Sequence, residues 1–236
     1  MTTTSLIELN NLEVKRGTFT LDIASWQVAP GQVIGLVGPN GAGKTTLLET
    51  LAGLRRKDAG SLSVLGADPW ADPVTVRSSL GFMTDDMPVF HMRIGPLMRM
   101  LSGYYSTWDA ALVDELLERF KLDPRQKTSA LSRGQGTRLR LVTAMAFRPR
   151  LLLLDEPAAG LDLAGRHTLL KSVLEVVRDP ERSVIISTHL LQDVERITDR
   201  LLVIDGGKVV QDGATDVLVG NERTLEEALM AWGAAG

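Results

Sequence analysis

The stretch that most restricts this chain runs from Gln32 to Leu54: QVIGLV, then GPNGAGKTT, then LLETLAGL. A continuous apolar run stopped by glycine predicts a strand buried on both faces. Leu47, Leu48, Leu51 and Leu54 recur at the spacing of one helical face. Between strand and helix, Gly38, Gly43, Lys44 and Thr45 satisfy G-x-x-x-x-G-K-[ST]. Glycines in this order let successive backbone N–H groups turn inward as an anion nest, and the following helix directs its positive end at the same point. Gly38, Pro39, Asn40, Gly41, Ala42, Gly43, Lys44, Thr45 and Thr46 are therefore expected to cradle the phosphates of a nucleotide. Lys44 would reach the outer phosphate oxygens and the Thr45 hydroxyl would ligate Mg²⁺.

Such a unit belongs in a parallel sheet. LLLLDEP (151–157) and SVIISTH (183–189) read as two further buried strands, each followed by a helical pattern, so the main part is α/β. Upstream, the alternation in FTLDIASWQV suggests antiparallel strands between residues 7 and 28, and GSLSVLG (60–66) reads as one more. From about Pro73 to Arg150 the character changes. DAALVDELLERFKL is an amphipathic helix with Asp109 placed as its N-cap, and GTRLRLVTAMAF reads as a second helix closed by Arg148-Pro149. No Pro/Gly/Ser-rich spacer sets this stretch apart. The expected organisation is a P-loop NTPase core with a mainly parallel sheet (about 1–75 and 151–215), an N-terminal antiparallel β subdomain within it, and an inserted helical subdomain (about 76–150). A short tail (216–236), ending in TLEEALMAW, packs back.

Phosphate chemistry needs a carboxylate near the metal, at the end of a neighbouring strand. Asp155 ends LLLLD and would hold Mg²⁺, while Glu156 could polarise the attacking water as general base. His189, ending the third strand, could touch the γ-phosphate or hold Glu156 and water in place. His91 and His167 lack such a context and read as surface or packing residues.

Bulk properties narrow the partners. The 236 residues carry a net charge of -3, which makes no electrostatic case for nucleic acid. There are no cysteines, which excludes disulfides and thiolate metal sites. The start, MTTTSLIELNN, lacks the regions of a signal peptide. No apolar stretch approaches the ~20 residues of a membrane span. A role at a membrane would therefore need another chain to span it.

A phosphate loop, LSRGQ (131–135), LLLLDEP, GLD (160–162) and STH, in this order, resemble the ATP-binding cassette (ABC) ATPases over about residues 7–213. By residue type alone LSRGQ is a polar helix start. The resemblance implies more: two such chains dimerise around two MgATP, and the signature segment of one closes over ATP held by the other. Ser132 and Gly134 would then meet the γ-phosphate, Gln135 would fix the turn, and Asp162 would lie along the seam. Arg133 stands where the family's usual LSGGQ has glycine, and its side chain can point to solvent while the backbone keeps its role. The family's Mg²⁺-sensing glutamine falls on Asp85, which could orient water or bind metal; a solvated acidic turn is the other reading. The aromatic residue that stacks adenine falls on Arg16, with Phe19 close by.

The helical stretch YYSTWDAALVDELLERFKLDPRQK is similar to small ATPases of the ABC-2 exporter type, and to the bacterial group often encoded beside a GntR-type regulator. This implies a homo- or heterodimeric motor on the cytoplasmic face of the membrane, driving separate permease subunits. Trp108 and Phe120 are expected in the core. Met87, Val89, Phe90, Met92 and Ile94 suggest either an interface for the membrane subunit or a local core. A soluble or regulatory ABC-type ATPase without a transport role is the alternative, although no second cassette, coiled-coil insertion or basic face is visible.

Overall fold

A computed structural model describes residues 5–87, 90–188, 191–220 and 224–228. Nine strands form one sheet in the order β4-β1-β2-β9-β8-β3-β7-β6-β5. The strands are β1 (Ile7–Arg16), β2 (Phe19–Val28), β3 (Val33–Val37), β4 (Ala59–Val64), β5 (Leu80–Met83), β6 (Leu151–Asp155), β7 (Ser183–Ser187), β8 (Arg200–Asp205) and β9 (Lys208–Ala214). One end is an antiparallel unit: β1 pairs with β2 and β4, and their residues alternate in burial. The other end is parallel, with β3 between β7 and β8, and β6 between β7 and β5.

The parallel strands read as unbroken apolar runs because both faces are covered. Leu151 and Leu153 join the core that holds Leu47, Leu48 and Leu51 of α1 (Lys44–Leu51), whereas Leu152 and Leu154 join the core on the opposite face. β7 splits in the same way, with Ile185 on one side and Val184 and Ile186 on the other. The second core is roofed by α3 (Ile94–Ser102), α4 (Ala110–Arg119), α5 (Arg133–Met145) and α6 (Leu163–Val176). Shorter helical pieces are α2 (Pro73–Arg77), α7 (Leu191–Ile197), α8 (Thr215–Val219), a 3-10 turn at Thr128–Ala130 and residues 225–228.

Most sequence expectations hold here. Asp109 caps α4, accepting from the Leu112 backbone N–H at 2.9 Å, and Phe120 is buried with Trp108 packed against its cluster. Two corrections follow from packing. Leu54 lies beyond α1 and is exposed, because the helix stops at Leu51. The helical region cannot start at 76, since β5 pairs with β6 in the main sheet through Leu80↔Leu151 to Met83↔Leu154. LSRGQ is a helix start, as its residue types suggest, and α5 begins at Arg133, three residues before the GTRLRLVTAMAF stretch. The cause is a capping box: Ser132 Oγ accepts from Gln135 N–H at 3.2 Å while Gln135 Oε1 accepts from Ser132 N–H at 3.0 Å.

Candidate functional site

The phosphate loop runs from β3 into α1, and its shape depends on two glycines. Gly43 caps α1 at φ 114, outside the range that side-chain-bearing residues favour. At Gly38 a Cβ would stand 1.9 Å from the Ile204 carbonyl oxygen, so only glycine lets the loop leave the sheet there. Lys44 is 8% exposed and donates from Nζ to the carbonyls of Gly38 (2.6 Å) and Pro39 (3.0 Å). Burial pushes its pKa below the ordinary lysine value, while the nearby Glu156 and Asp155 carboxylates pull it back up. That balance places a cation and two acids within one electrostatic neighbourhood.

Thr45 Oγ1 donates to Asp155 Oδ2 at 2.6 Å, and Ser187 Oγ donates to Asp155 Oδ1 at 2.7 Å. Asp155 is buried at the C-terminal end of β6, opposite Ser187 in the β6–β7 register. A hydroxyl and a carboxylate meeting beside a phosphate nest are the donors a hard cation takes when it keeps several waters and shares the substrate's phosphates. Thr45 and Asp155 thus fit Mg²⁺. Groups of three or more His, Asp or Glu are absent among the described residues, and a cation shared with phosphates needs none.

Glu156 follows at φ 48, a left-handed conformation that is costly for a residue with a side chain. Two backbone hydrogen bonds support it: its N–H donates to Ser187 O at 2.9 Å, and its carbonyl accepts from Ala159 N–H at 3.1 Å. His189 lies outside the described residues, as does Val89.

The remaining candidates sit apart from this cluster. Ser132, Gly134 and Gln135 form the exposed to half-buried start of α5. Asp162 caps α6 by accepting from Gly165 N–H at 2.9 Å, and Arg138 Nη2 lies 3.4 Å from the same oxygen. Arg16 is exposed at the tip of the β1–β2 hairpin, whereas Phe19 packs towards Gly43 of the loop and Gly207. Asp85 faces α5: Arg133 Nη2 is 2.7 Å from one carboxylate oxygen and Arg140 Nη1 is 3.6 Å from the other. His91 and His167 are both exposed. The sequence reading missed Ser187, Arg138 and Arg140. Ser187 was within sight, two residues before His189, but its partner depends on strand register.

A buried strand, an anion nest, a helix and an adjacent strand delivering an acid pair define a P-loop ATPase. Residues 21–159 match the ABC transporter family. The chain is 34% identical over 235 residues to the thiamine import ATP-binding protein ThiQ of Jannaschia sp. (strain CCS1), covering 96% of this chain and 100% of that one. It is 35% identical over 201 residues to Nod factor export ATP-binding protein I of Rhizobium etli, covering 83% of this chain and 63% of that one. A solved ATP-binding subunit of an ABC transporter superposes with a TM-score of 0.87 at 25% identity, covering 97% and 99% of the two chains. The chain therefore belongs to the ABC transporter family. It is an ATP-binding subunit with ATPase activity, and its relatives include exporter subunits.

Proposed function

We propose that two copies of this chain, or this chain and a similar one, close around two MgATP and drive the separate membrane-spanning subunits of an exporter. The observation that carries this reading is the convergence of Lys44, Thr45, Asp155 and Glu156 at the C-terminal ends of β3 and β6. In each half, the phosphate loop holds the triphosphate, with Lys44 neutralising charge that develops during transfer to water. Thr45 and Asp155 would hold Mg²⁺, which supplies charge neutralisation at the phosphate oxygens. Glu156 accepts the proton of the attacking water. Across the seam, Ser132 and Gly134 offer hydrogen bonds to the partner's γ-phosphate, and Asp162 lines the same seam. Phe19 gives the base an apolar wall, with the Arg16 guanidinium above it.

The docking surface for the membrane subunit is an apolar groove of about 420 Å³ between β5 and the helical region, lined by Leu54, Phe82, Phe90, Leu101, Tyr105 and Phe147 among others. Phe90 is 60% exposed on its rim, and Met87 lines it as well. Ile94, by contrast, is fully buried and belongs to the core. No helix among the described residues is long and apolar enough to cross a membrane. In this reading the chain sits on the cytoplasmic face of the membrane, bound to the spanning subunit through this groove.

Two measurements test the proposal. The Glu156→Gln protein should bind ATP, dimerise with it and hardly hydrolyse it; near-normal turnover would remove Glu156 as the base. Gentle solubilisation of membranes from the native host should co-purify a multi-span protein in near-equal amount. Recovery without such a protein would sink the transport role. The full-length similarity to a thiamine import subunit favours a second reading, an importer, and the identity of the co-purified membrane subunit decides between them.

A further inference from the structure

We infer that Arg133 is a positioning residue for hydrolysis and that Asp85 is its counter-charge, the two acting as one device rather than as independent departures at the signature and metal-sensing positions. This rests on the proposed ATP site.

Several contacts support it. Arg133 opens α5, and its guanidinium reaches back across 48 residues of sequence to Asp85 at 2.7 Å. Its stem lies across the loop that follows Glu156. A Cβ built on Gly160 would stand 3.1 Å from Arg133 Cδ and 3.3 Å from Cγ and Nε. A Cβ on Gly134 would stand 3.1 Å from the Gly160 carbonyl oxygen, so the first turn of α5 and the 158–162 loop are in close contact on both sides of the arginine. Thr137 Oγ1 lies 3.4 Å from the Ala159 carbonyl oxygen, one turn further along α5, and Arg138 reaches Asp162.

The 84–87 turn is held from the same helix. Arg140 Nε donates to the Met87 carbonyl at 2.8 Å and its Nη1 faces Asp85 at 3.6 Å. Met87 in turn lines the apolar groove. One helix face therefore grips two loops: the one that starts at Glu156 and the one that borders the groove.

The chemistry explains why an arginine is usable here. An unneutralised guanidinium at the first turn of α5 would add its charge to the positive helix end, where like charge is unfavourable. Asp85 cancels that charge and fixes the planar fork, leaving the Arg133 and Gly134 N–H groups, which the capping box does not use, available to an anion. With both its oxygens facing arginines, Asp85 acts through α5 and not as a metal ligand. Arg133 has 69% of its side chain exposed, so the pair adds little to stability. Its expected effect is on placement, where a shift of about 1 Å at a reacting centre can cost roughly 10²-fold in rate.

The experiment is a double-mutant cycle on ATP turnover by the full chain, using Asp85→Asn, Arg133→Gln and the double variant, with thermal unfolding of each. Each single change is expected to lower turnover by about tenfold, with the double variant no worse than either single one, because both remove the same contact. Unfolding temperatures and ATP affinity should stay near those of the parent. Arg133→Lys should recover part of the turnover, and the Mg²⁺ concentration for half-maximal turnover should be unchanged throughout. Losses that multiply in the double variant would overturn the pairing. So would a raised Mg²⁺ requirement confined to Asp85→Asn, which would return Asp85 to the metal. A loss confined to Arg133→Gln would make Arg133 a direct phosphate contact without Asp85. The Glu156→Gln protein, assayed alongside, judges the proposed site separately: if it turns over normally while the cycle still shows coupling, the base assignment falls and the pair stands.

Discussion

The two halves of the nucleotide machinery are built differently. Around the phosphate loop, Lys44, Asp155 and Ser187 are buried, Thr45 opens to solvent, and all four are already bonded within one chain: Lys44 to loop carbonyls, Thr45 and Ser187 to Asp155. Around the first turn of α5 and Asp162, the groups sit at the surface, and their side-chain polar atoms are engaged in caps. The buried half has its geometry imposed by two hydrophobic cores, one on each sheet face. The exposed half takes its geometry from local hydrogen bonds and ion pairs. A protein made this way holds its phosphate site rigidly in each chain and leaves the completing surface to meet another molecule.

Substitutions can widen or close that contrast. The largest effect belongs to the buried half: Glu156→Gln should lower turnover by about 10²–10⁴-fold, as removal of a general base does, read in steady-state phosphate release. Lys44→Ala should follow at roughly 10²–10³-fold, for loss of one preorganised charge at the phosphates, together with weaker ATP binding in a direct titration. Leu153→Ala, under α1, should destabilise the fold by about 2–5 kcal/mol in denaturant unfolding. A loss as small as that of an exposed residue would mean that this sheet face is not packed against the helix. The exposed half should respond less in stability. Ser132→Ala removes half of the capping box and should cost about 1 kcal/mol, with a disproportionate loss of ATP-dependent dimerisation in light scattering.

Asp109→Ala tests the same physics away from the site. The Leu112 N–H and Arg148, which approaches the carboxylate at 2.5 Å, hold its pKa below the ordinary aspartate value. A depressed carboxylate pKa contributes stability that is present above the unfolded-state value and disappears as pH falls through the folded one. The difference between wild type and Asp109→Ala, about 1 kcal/mol at neutral pH, should therefore shrink on acidification. A constant difference in unfolding experiments across that range would show that the cap works without its charge.

The buried half was legible in the sequence because its signals are local. QVIGLVG and LLLLD announce strands covered on both faces, and the glycine–lysine–threonine order fits a phosphate nest. Asp109 as a cap and Phe120 as core were legible for the same reason: a polar residue before an amphipathic run, and an apolar residue on its inner face. The exposed half was legible only in part. LSRGQ reads as a polar helix start, and its Ser132 and Gln135 are the capping pair that begins α5 at Arg133; residue type does not show that this turn pairs with Asp85. The groove divided a run that looks uniform: Ile94 went to the core and Phe90 to the surface.

What the chain's sequence determined by itself is the nucleotide-binding unit, because backbone conformation and strand burial are set by residues a few positions apart. What only the tertiary structure decided is who partners whom over long separations. Ser187 meets Asp155 because β6 and β7 align in one register. The edge strand β5 leaves the helical region for the sheet because its apolar side chains are covered there on both faces. Asp85 meets Arg133 because α5 packs beside β5 and brings the two charges within hydrogen-bonding distance. Charge pairing of this kind depends on distance in space, which residue order does not encode.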